Sequence, residues 1–543
     1  MLIFNIEEYP ILLFNGINYA QTSKNVINLK KWSIYGNENK DVTKKINLAI
    51  EECSKKGLTL EIDSGLYLIN TTNYESGLIC RAGTTINFKK GAILKAIDSK
   101  SESYSVIRIF NCKNVNLINP TIVGDKERHL GKDGEWGHGI TINNSENVTV
   151  SGATITECWG DGIYLGYDWN LKEFAYYNEN INIVRPKISR CRRNGISICM
   201  GKYINIESPI ITDINGTLPG AAIDFEPEFS DPNFNKLNFD KITVNNPITG
   251  NSHYGLLFAL NLMRNYLVRI VVNNHIDNSS EYGCYFSEVE PGRDNSGSSI
   301  ILNNPNWENN RQNGLCVANY SGHNSPQIIV NNPKIYNWNR ANYKTFPGTA
   351  AISILNSKYG KIHYFVGNLV VNGGRYELSS KPVWYSNSYP VACSWGVPFE
   401  NVRIQNIEFL KNVNSNIATP SEGIVIEDKY KYLKTAISTN IGKNNLINLS
   451  NFCLNYEVKS LGQTIFHFKQ APKGVPFVLE NLGKGSLILV INIPLKYNGK
   501  LFTIKEGRLS TTSSDSYIKV CYENGNLELL EKKGRWMFNG KSF

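Results

Sequence analysis

The 543-residue sequence lacks the marks of several protein classes. No apolar run reaches the length of a transmembrane helix, and the opening MLIFNIEEYPILLFNGINY has acidic residues and a proline where a secretory signal has basic residues and an unbroken apolar core. The 11 cysteines form no CxxC pair, so the sequence favours neither a disulfide framework nor a zinc ribbon. We therefore expect a protein that folds in a reducing cytoplasm, with no signal peptide and no membrane contact.

The chain also has no Lys/Arg tract with interleaved aromatic residues, so we expect no nucleic-acid partner. Its formal charge of +10 is explained by solubility more simply than by an acidic partner. Methionine is scarce, with 4 residues, whereas glycine reaches 44 and asparagine is abundant. This composition favours turn-rich β structure over long helices.

Two short patterns recur along the chain and interleave strictly. The first is an alternating apolar segment, a turn that is often Asn-Pro, and another apolar residue, as in VNLINPTI (115 to 122), INIVRPKI (181 to 188), ITVNNPIT (242 to 249) and IIVNNPKI (328 to 335). The second is a glycine or alanine before alternating apolar residues, as in HGITI, DGIYL, NGISI, AAIDF, YGLLF, YGCYF and NGLCV. A period of roughly 23 to 40 residues with two-residue alternation predicts stacked β-coils with asparagine ladders at the turns, that is, a parallel β-helix.

The segment YGNENKDVTKKINLAIEECSKKGLTLEIDSGLYLIN (35 to 70) resembles the start of right-handed β-helices of the pectate-lyase-like superfamily. In that superfamily an amphipathic helix caps the first coil and a Gly-x-Tyr-x-Ile element follows. The resemblance implies a helix capped by Asp41 or Thr43, with Ile46, Ala49 and Ile50 on its buried face. Together with the repeats it extends over roughly residues 30 to 412.

The fold class that we predict is therefore all-β, a right-handed parallel β-helix with a short N-terminal capping helix and a C-terminal antiparallel β domain. The predicted divisions are an N-terminal segment (1–30), a helix-capped first coil (31–80), a catalytic β-helix (81–412), a linker (413–450) and a C-terminal β domain (451–543) for trimerisation or carbohydrate binding. Glu523-Asn524-Gly525-Asn526 is a hairpin signal in the last of these. The array resembles phage and prophage tailspike polysaccharide depolymerases, which implies a homotrimer, a virion-tail or bacterial extracellular location, and a bacterial surface polysaccharide as partner.

Alignment of the second pattern on its glycine predicts which side chains face outward. Among the positions two and four residues after the glycine, carboxylates fall on one coil alone, at Asp224 and Glu226, with no Lys or Arg at the neighbouring aligned positions. Side chains two apart on a strand face are separated by roughly 6.5 to 7 Å, which fits the spacing of about 6.5 to 9.5 Å between the carboxyl groups of inverting glycosidases. Asp224 and Glu226 are therefore the predicted acid and base. Asp161 is a second choice, at an expected distance of roughly 14 Å from Asp224.

Other residues are candidates for substrate binding or for a different activity. Glu228, His138, Tyr164, Tyr254, Tyr285 and Glu288 are the predicted substrate-binding residues, because aromatic faces pack on sugar rings and carboxylates accept hydroxyl hydrogen bonds. A polysaccharide lyase would instead use His138, Tyr164 or Arg264 as the proton acceptor, with an arginine or Ca²⁺ neutralising the uronate; a hydrolase needs no cofactor. The carboxylate run as a solvated face or calcium site, and a non-catalytic receptor-binding fibre or adhesin, are further alternatives.

Overall fold

The computed structural model describes residues 25–167, 177–227, 239–260, 267–289, 297–322, 325–343, 350–356, 366–379, 390–393 and 399–405, and shorter segments between 408 and 542. Within these residues the chain winds through three long sheets whose successive strands pair in parallel, except that the last strand of the first sheet, Tyr432–Lys434, pairs antiparallel with Ile424–Glu427. The predicted right-handed parallel β-helix is confirmed. Three helical segments accompany the strands, at Leu29–Trp32, Thr43–Lys56 and Lys126–Arg128.

The bounds of the strands follow the repeats. The first sheet comprises Val26–Asn28, Thr59–Ile62, Thr85–Phe88, Lys113–Ile118, Glu146–Ser151, Glu179–Val184, Gly201–Glu207, Phe239–Asn245, Arg269–Asn273, Ser299–Asn303, Gln327–Asn331, Val366–Asn372, Phe399–Gln405, Ile424–Glu427 and Tyr432–Lys434. The second comprises Gly65–Ile69, Ala92–Ala96, Thr121–Val123, Thr154–Thr156, Lys187–Ser189, Ile210–Thr212, Ile248–Gly250, Ile276–Asn278, Asn306–Glu308, Lys334–Tyr336, Arg375–Glu377 and Glu408–Phe409. The third comprises Leu78–Ile79, Ser103–Phe110, Trp136–Asn143, Ile163–Gly166, Ile196–Ile198, Ala221–Phe225, Tyr254–Phe258, Tyr282–Phe286, Leu315–Ala318, Ile352–Leu355 and Val391–Cys393.

Aligned aliphatic side chains fill the interior of the solenoid. In the third sheet, Ile140, Ile163, Ile196 and Ile223 pair coil to coil and are fully buried. Each such side chain contributes about 1.5 to 3 kcal/mol of burial free energy, and the stack continues along one core from Leu29 to Ile404. This core fixes the register of the strands, because a shift by one residue would turn the apolar set outward.

Asparagines hold the turns after the first sheet in alignment. The side-chain amides of Asn273, Asn303, Asn331 and Asn372 each donate to the asparagine one coil earlier, at 2.8 Å, starting from Asn245. The residues that follow the first four members of this row (Asn246, Asn274, Asn304 and Asn332) have φ between 50° and 55°, the left-handed region that asparagine tolerates. The predicted asparagine ladder is confirmed.

The capping helix Thr43–Lys56 closes the N-terminal end of the core. Ile46, Ala49 and Ile50 are buried as predicted. The predicted N-cap, Asp41 or Thr43, is wrong: the N-cap is Val42, which has no side-chain capping hydrogen bond, and Thr43 is the first helical residue. The Asp41 carboxylate nevertheless accepts the Thr43 backbone N–H at 2.9 Å and the Thr43 hydroxyl at 2.6 Å, so it satisfies one donor of the first turn. The helix ends at Gly57, whose φ of 61° favours glycine.

The C-terminal domain has a core of its own, built around residues such as Phe466, Leu489 and Trp536. Its two sheets contain more antiparallel than parallel pairs, and the predicted hairpin joins Ser516–Glu523 to Asn526–Lys533. The strands of one sheet are Asn444–Ile447, Thr464–Phe468, Leu487–Ile491, Gly507–Thr511, Met537–Phe538 and Lys541–Ser542; those of the other are Asn455–Val458, Pro476–Asn481, Leu495–Tyr497, Lys500–Phe502, Ser516–Glu523 and Asn526–Lys533. Three strands described within the predicted linker 413–450 belong to sheets: Ile424–Glu427 and Tyr432–Lys434 extend the first sheet of the solenoid, and Asn444–Ile447 pairs in the C-terminal domain.

None of the helices in the described residues is long and apolar enough to cross a bilayer. The cysteines described are all free and buried, including Cys158 and Cys191, which follow aligned strands of the second sheet on neighbouring coils.

Candidate active site

The outward residues of the third sheet align as the glycine pattern predicts. Asp224 pairs with Ser197 on one side and Leu257 on the other. Its outward position is as predicted, but its side chain is 0% exposed. Asp161 and Asp224 therefore lie in a covered polar layer on the outside of the sheet, whereas Glu226 is partly exposed.

Arg193 lies at the centre of this layer. Its guanidinium donates to Asp161 Oδ2 through Nη1 and to Glu226 Oε2 through Nη2, each at 3.0 Å. Its Nε lies 3.8 Å from Glu135 Oε2. One buried cation thus faces three carboxylates. No Lys or Arg stands at the neighbouring aligned positions, but the carboxylates are salt-bridged nevertheless, because Arg193 reaches them from the turn before the strand.

Asn194 and Ser197 connect Asp161 to Asp224. The Ser197 hydroxyl donates to Asp161 Oδ2 at 2.8 Å, and the Asn194 amide lies 3.0 Å from both Ser197 Oγ and Asp224 Oδ2. This series of three hydrogen bonds places the two carboxylate oxygens within about 9 Å of each other. The expected separation of roughly 14 Å between Asp161 and Asp224 is therefore too long. It failed because Asp161 precedes its strand and turns back over the next coil, where its Oδ1 accepts the Asn194 backbone N–H at 3.0 Å.

Close backbone packing places these groups on adjacent coils. A Cβ at Gly195 would lie 2.4 Å from Ala222 O and from Ile211 Cγ2, so only glycine lets the two strands approach here. The Asn194 side-chain oxygen accepts the backbone N–H of Ala221, at 2.8 Å, and so holds the start of the strand that carries Asp224.

Burial and mutual repulsion favour the protonated forms of these carboxyl groups. Burial raises the pKa of Asp224 well above its usual value, and the nearby Glu226 charge raises it further. Burial also raises the pKa values of Asp161 and Glu226, against the opposing effect of Arg193. Asp224 Oδ1 is a buried oxygen without a hydrogen-bond partner among the described residues. A proton on this oxygen would therefore be available for transfer to a substrate.

Two of the carboxylates around Arg193 reach the surface. The Glu226 side chain is 26% exposed and that of Glu135 is 36% exposed, whereas Asp161 and Asp224 are covered. The Oε2 atoms of Glu226 and Glu135 lie within roughly 9 Å of each other, because both contact the Arg193 guanidinium, at 3.0 Å and 3.8 Å, and about 2.3 Å separates its two nitrogens. Sequence reasoning missed Glu135 and Arg193 because neither stands at an outward strand position; the only signal for Arg193 was its place one residue before Asn194 in the aligned series.

His138 and Tyr164 lie beside the cluster but pack against each other. Their rings stack at 4.8 Å with an angle of 5°, and both are almost fully buried. His138 Nδ1 accepts the Asp161 backbone N–H at 3.0 Å, and burial lowers the pKa of His138 to about 3, so the imidazole is neutral. Tyr164 therefore presents no free ring face for a sugar in this structure.

The predicted tyrosines continue the outer face of the third sheet. The rings of Tyr254, Tyr282 and Tyr285 lie 5.0 to 5.5 Å apart and are half-buried, as is Glu288. Tyr254 follows Ala221 by one coil, so this aromatic group adjoins the strand that carries Asp224. Glu228 and Arg264 lie outside the described residues. Among the residues described, no group of three or more His, Cys, Asp or Glu side chains has an arrangement that could hold a metal ion.

Comparison of the sequence with known proteins gives distant relatives. No protein-family model matches the chain. Two Bacillus subtilis (strain 168) proteins are similar over about 220 residues: the uncharacterized protein YclG, 28% identical, and the SPbeta prophage-derived uncharacterized protein YorA, 23% identical. Each match covers 37% of this chain and 38% of the relative, so the similarity spans well under half of each curated protein.

Among solved structures, the catalytic unit of a GH87 α-1,3-glucanase from Streptomyces thermodiastaticus has a TM-score of 0.50 and 13% sequence identity. The similarity covers 75% of this chain and 68% of the glucanase chain. At this identity the likeness supports the parallel β-helix fold alone.

Proposed function

We propose that the protein is an endo-acting polysaccharide depolymerase that hydrolyses a glycosidic bond of a bacterial capsule, exopolysaccharide or O-antigen. The observation that carries this proposal is the group of carboxyl groups gathered around Arg193 on the outside of the solenoid, with raised pKa values at Asp161, Asp224 and Glu226. Acid/base hydrolysis needs one carboxyl that keeps its proton at neutral pH beside another that is ionised. Arg193 pairs directly with Asp161 and Glu226 and not with Asp224, which favours ionised Glu226 beside protonated Asp224.

Asp224 and Glu226 remain the proposed acid and base pair. Glu226 is positioned by Arg193 and reaches the surface, so it contacts the substrate first. Burial and the Glu226 charge raise the pKa of Asp224 and so favour its protonated form, which suits the acid, and its unpartnered Oδ1 is the oxygen proposed to face the scissile bond. Geometry in a substrate-free site does not by itself exclude a covered carboxyl from catalysis. Asp161 positions Arg193 and Ser197 behind the pair.

The test is a screen of typed bacterial polysaccharides with the full chain, measuring viscosity and new reducing ends. A fall in viscosity that precedes the release of small sugars supports an endo-acting hydrolase. Asp224→Asn and Glu226→Gln should each abolish cleavage while the circular dichroism of the protein is unchanged. Unchanged cleavage by both variants would remove this site from the proposal, and a parent protein that binds polymers without cleaving any would favour the receptor-binding alternative.

A lyase acting on uronic acids is the alternative that the sequence left open, with His138 as its base, but the Nδ1 lone pair of His138 already accepts the Asp161 backbone N–H and burial lowers its pKa to about 3, which makes it a weak proton acceptor. β-Elimination leaves an unsaturated uronate, which absorbs ultraviolet light, whereas hydrolysis leaves none. Absorbing products that disappear in His138→Ala but persist in Asp224→Asn would replace the hydrolase with the lyase. A lyase would also need a group to neutralise the uronate, and Arg193 is already paired with carboxylates.

We also propose a phage or prophage tail location and a homotrimer. The resemblance of the repeats to tailspikes supports both, and the prophage-derived relative supports the first. Sedimentation of the intact chain tests the trimer, and a monomer at micromolar concentration would contradict it.

A further inference from the structure

A cleft lies at the turns that lead into the third sheet, next to the strand that carries Asp224. This cleft has a volume of about 400 Å³ and is lined by residues 214–220, Asn251, Ser252, His253, Ser279, Glu281 and Arg311. Its wall ends at Gly220, directly before the strand Ala221–Phe225 that carries Asp224. The backbone N–H of His253 donates to Gly220 O at 3.0 Å, so a hydrogen bond fixes this wall of the cleft to the residue that precedes the Asp224 strand.

One lining residue of the cleft, His253, adjoins the tyrosine group of the third sheet. His253 meets the edge of Tyr254 at 4.2 Å, and Tyr254 stacks on Tyr282 at 5.5 Å with an angle of 26°. Burial lowers the pKa of His253, so this ring is neutral at neutral pH. A stack of half-buried aromatic rings that climbs from one coil to the next offers apolar faces to the C–H faces of sugar rings.

The polar wall of the cleft is fixed by contacts between coils. Glu281 accepts hydrogen bonds from the Gln312 amide and from the Tyr343 hydroxyl, the latter at 3.1 Å. The Gln312 oxygen accepts the Tyr282 hydroxyl at 2.8 Å. These bonds hold the Glu281 carboxylate at the edge of the cleft, where its remaining lone pairs can accept sugar hydroxyls.

Arg311 supplies a positive charge that the described part of the chain does not neutralise. Its side chain is exposed at the rim of the cleft and has neither a hydrogen bond nor an ion pair there, although its backbone N–H donates to Ser280 O at 2.9 Å. A guanidinium presents paired N–H donors that match a carboxylate in bidentate geometry. A free arginine beside aromatic rings and a fixed hydroxyl acceptor fits a sugar that carries a carboxylate.

We propose that this cleft binds an acidic sugar of the polymer, with the sugar carboxylate on Arg311, its hydroxyls on Glu281 and the next ring over Tyr254 and Tyr282. The inference rests on the proposed function, because it places the cleft beside the reacting carboxyl groups. It makes the substrate class an acidic polysaccharide. It also gives the polymer a direction across the coils, from Arg311 toward Glu226.

The test separates binding from cleavage. The full-length Glu226→Gln protein is run in native gels that contain polygalacturonate, alginate, hyaluronate, teichoic acid or dextran. We expect retardation by at least one carboxylated polymer and none by dextran, and a roughly tenfold weaker affinity in the additional variant Arg311→Gln, with partial recovery in Arg311→Lys. Arg403→Gln removes an exposed arginine of the first sheet and is the matched control for net charge.

Equal affinity in Arg311→Gln and the control, equal retardation by dextran, or no retardation by any carboxylated polymer would each overturn the inference. Retardation by teichoic acid alone would also overturn it, because the anion would then be a phosphate. Cleavage by the parent protein is scored separately by viscosity. If the parent protein cleaves a polymer while Arg311→Gln binds it normally, the acidic-sugar site is wrong and the proposed hydrolase stands. If binding depends on Arg311 but the parent cleaves no polymer, the proposed hydrolase is wrong and the acidic-sugar site stands.

Discussion

Two buried carboxyl groups, Asp224 and Asp277, lie on opposite sides of the solenoid wall and are treated differently by their surroundings. Asp277 points into the core from the second sheet, at the position that Trp307 occupies one coil later. Both of its oxygens are hydrogen-bonded: Oδ2 accepts Thr249 Oγ1 and Ser280 Oγ at 2.7 Å, and Oδ1 accepts the Asn310 amide at 2.6 Å. Asp224 on the outer face has one oxygen bonded and the other without a partner.

The donors around Asp277 form a directed chain. Trp307 Nε1–H donates to His275 Nδ1 at 3.0 Å, so the neutral imidazole carries its proton on Nε2 and donates to Thr249 Oγ1. Thr249 in turn donates to Asp277. Both carboxylate oxygens of Asp277 are thus satisfied, although Asn310 Oδ1 has no hydrogen-bond partner, and these bonds stabilise one register of the core. An unsatisfied, buried oxygen next to other carboxyl groups is costly, and such costs concentrate at functional sites. We therefore interpret Asp277 as structural and Asp224 as functional.

The largest expected effect is the loss of polysaccharide cleavage in the variant Glu226→Gln. The variant keeps the shape of the side chain and its contact with Arg193 but cannot exchange a proton, so we expect at least a ~10³-fold loss of kcat with an unchanged Tm. Asp240→Asn is the matched control, since Asp240 also pairs with an arginine, Arg269, in the first sheet. A similar loss in Asp240→Asn would mean that the effect is structural.

Glu135→Gln tests which carboxyl works with Glu226. If Asp224 is the partner, Glu135→Gln should lower kcat by less than about tenfold and Asp224→Asn by at least ~10²-fold. The reverse order would assign the second role to Glu135, which also reaches the surface beside Arg193.

Asp277→Ala should have the opposite profile, with a large loss of stability. Removing the carboxylate leaves the Thr249, Ser280 and Asn310 donors buried without an acceptor, which we expect to cost about 3 to 5 kcal/mol in the free energy of unfolding. Asp133→Ala, at an exposed site, is the control. Urea unfolding measures the difference, and a stability equal to that of the control would contradict the structural role.

The fold could be predicted from the sequence because the solenoid repeats the same physical requirement on every coil. Alternating apolar residues, asparagine at the turns and glycine where strands approach recur often enough to fix the register, and the aligned outward series was correct from Thr141 to Cys316. The surroundings of the site were less predictable. Arg193 comes from a turn, whose side chains follow no period, and the burial of Asp224 depends on what covers the sheet. Alternation gives the face of a side chain, not its exposure.

The pH dependence of stability distinguishes the two carboxyl groups further. Burial raises the pKa of Asp277 to about 7 from 3.8, so the folded chain binds this proton more tightly than the unfolded chain does. Stability should therefore fall as the pH rises from about 4 to about 7, by up to about 4 kcal/mol from this group. Asp277→Asn should remove that part of the slope, whereas Asp224→Asn should flatten the curve over a range set by its own raised pKa. Parallel curves for the parent and Asp277→Asn would show that the core carboxyl does not titrate in this range.

The smallest expected effect concerns the asparagine ladder. Asn303 donates to Asn273 and accepts from Asn331, both at 2.8 Å, in a row that is half-buried along its length. Asn303→Ala breaks two neutral hydrogen bonds that water can partly replace, so we expect a loss of about 1 kcal/mol and no change in cleavage. Asn304→Ala, one residue on, is the comparison, because its φ of 50° also makes alanine unfavourable there. If Asn303→Ala cost as much as Asp277→Ala, the stability of the solenoid would reside in its turns and not in its core.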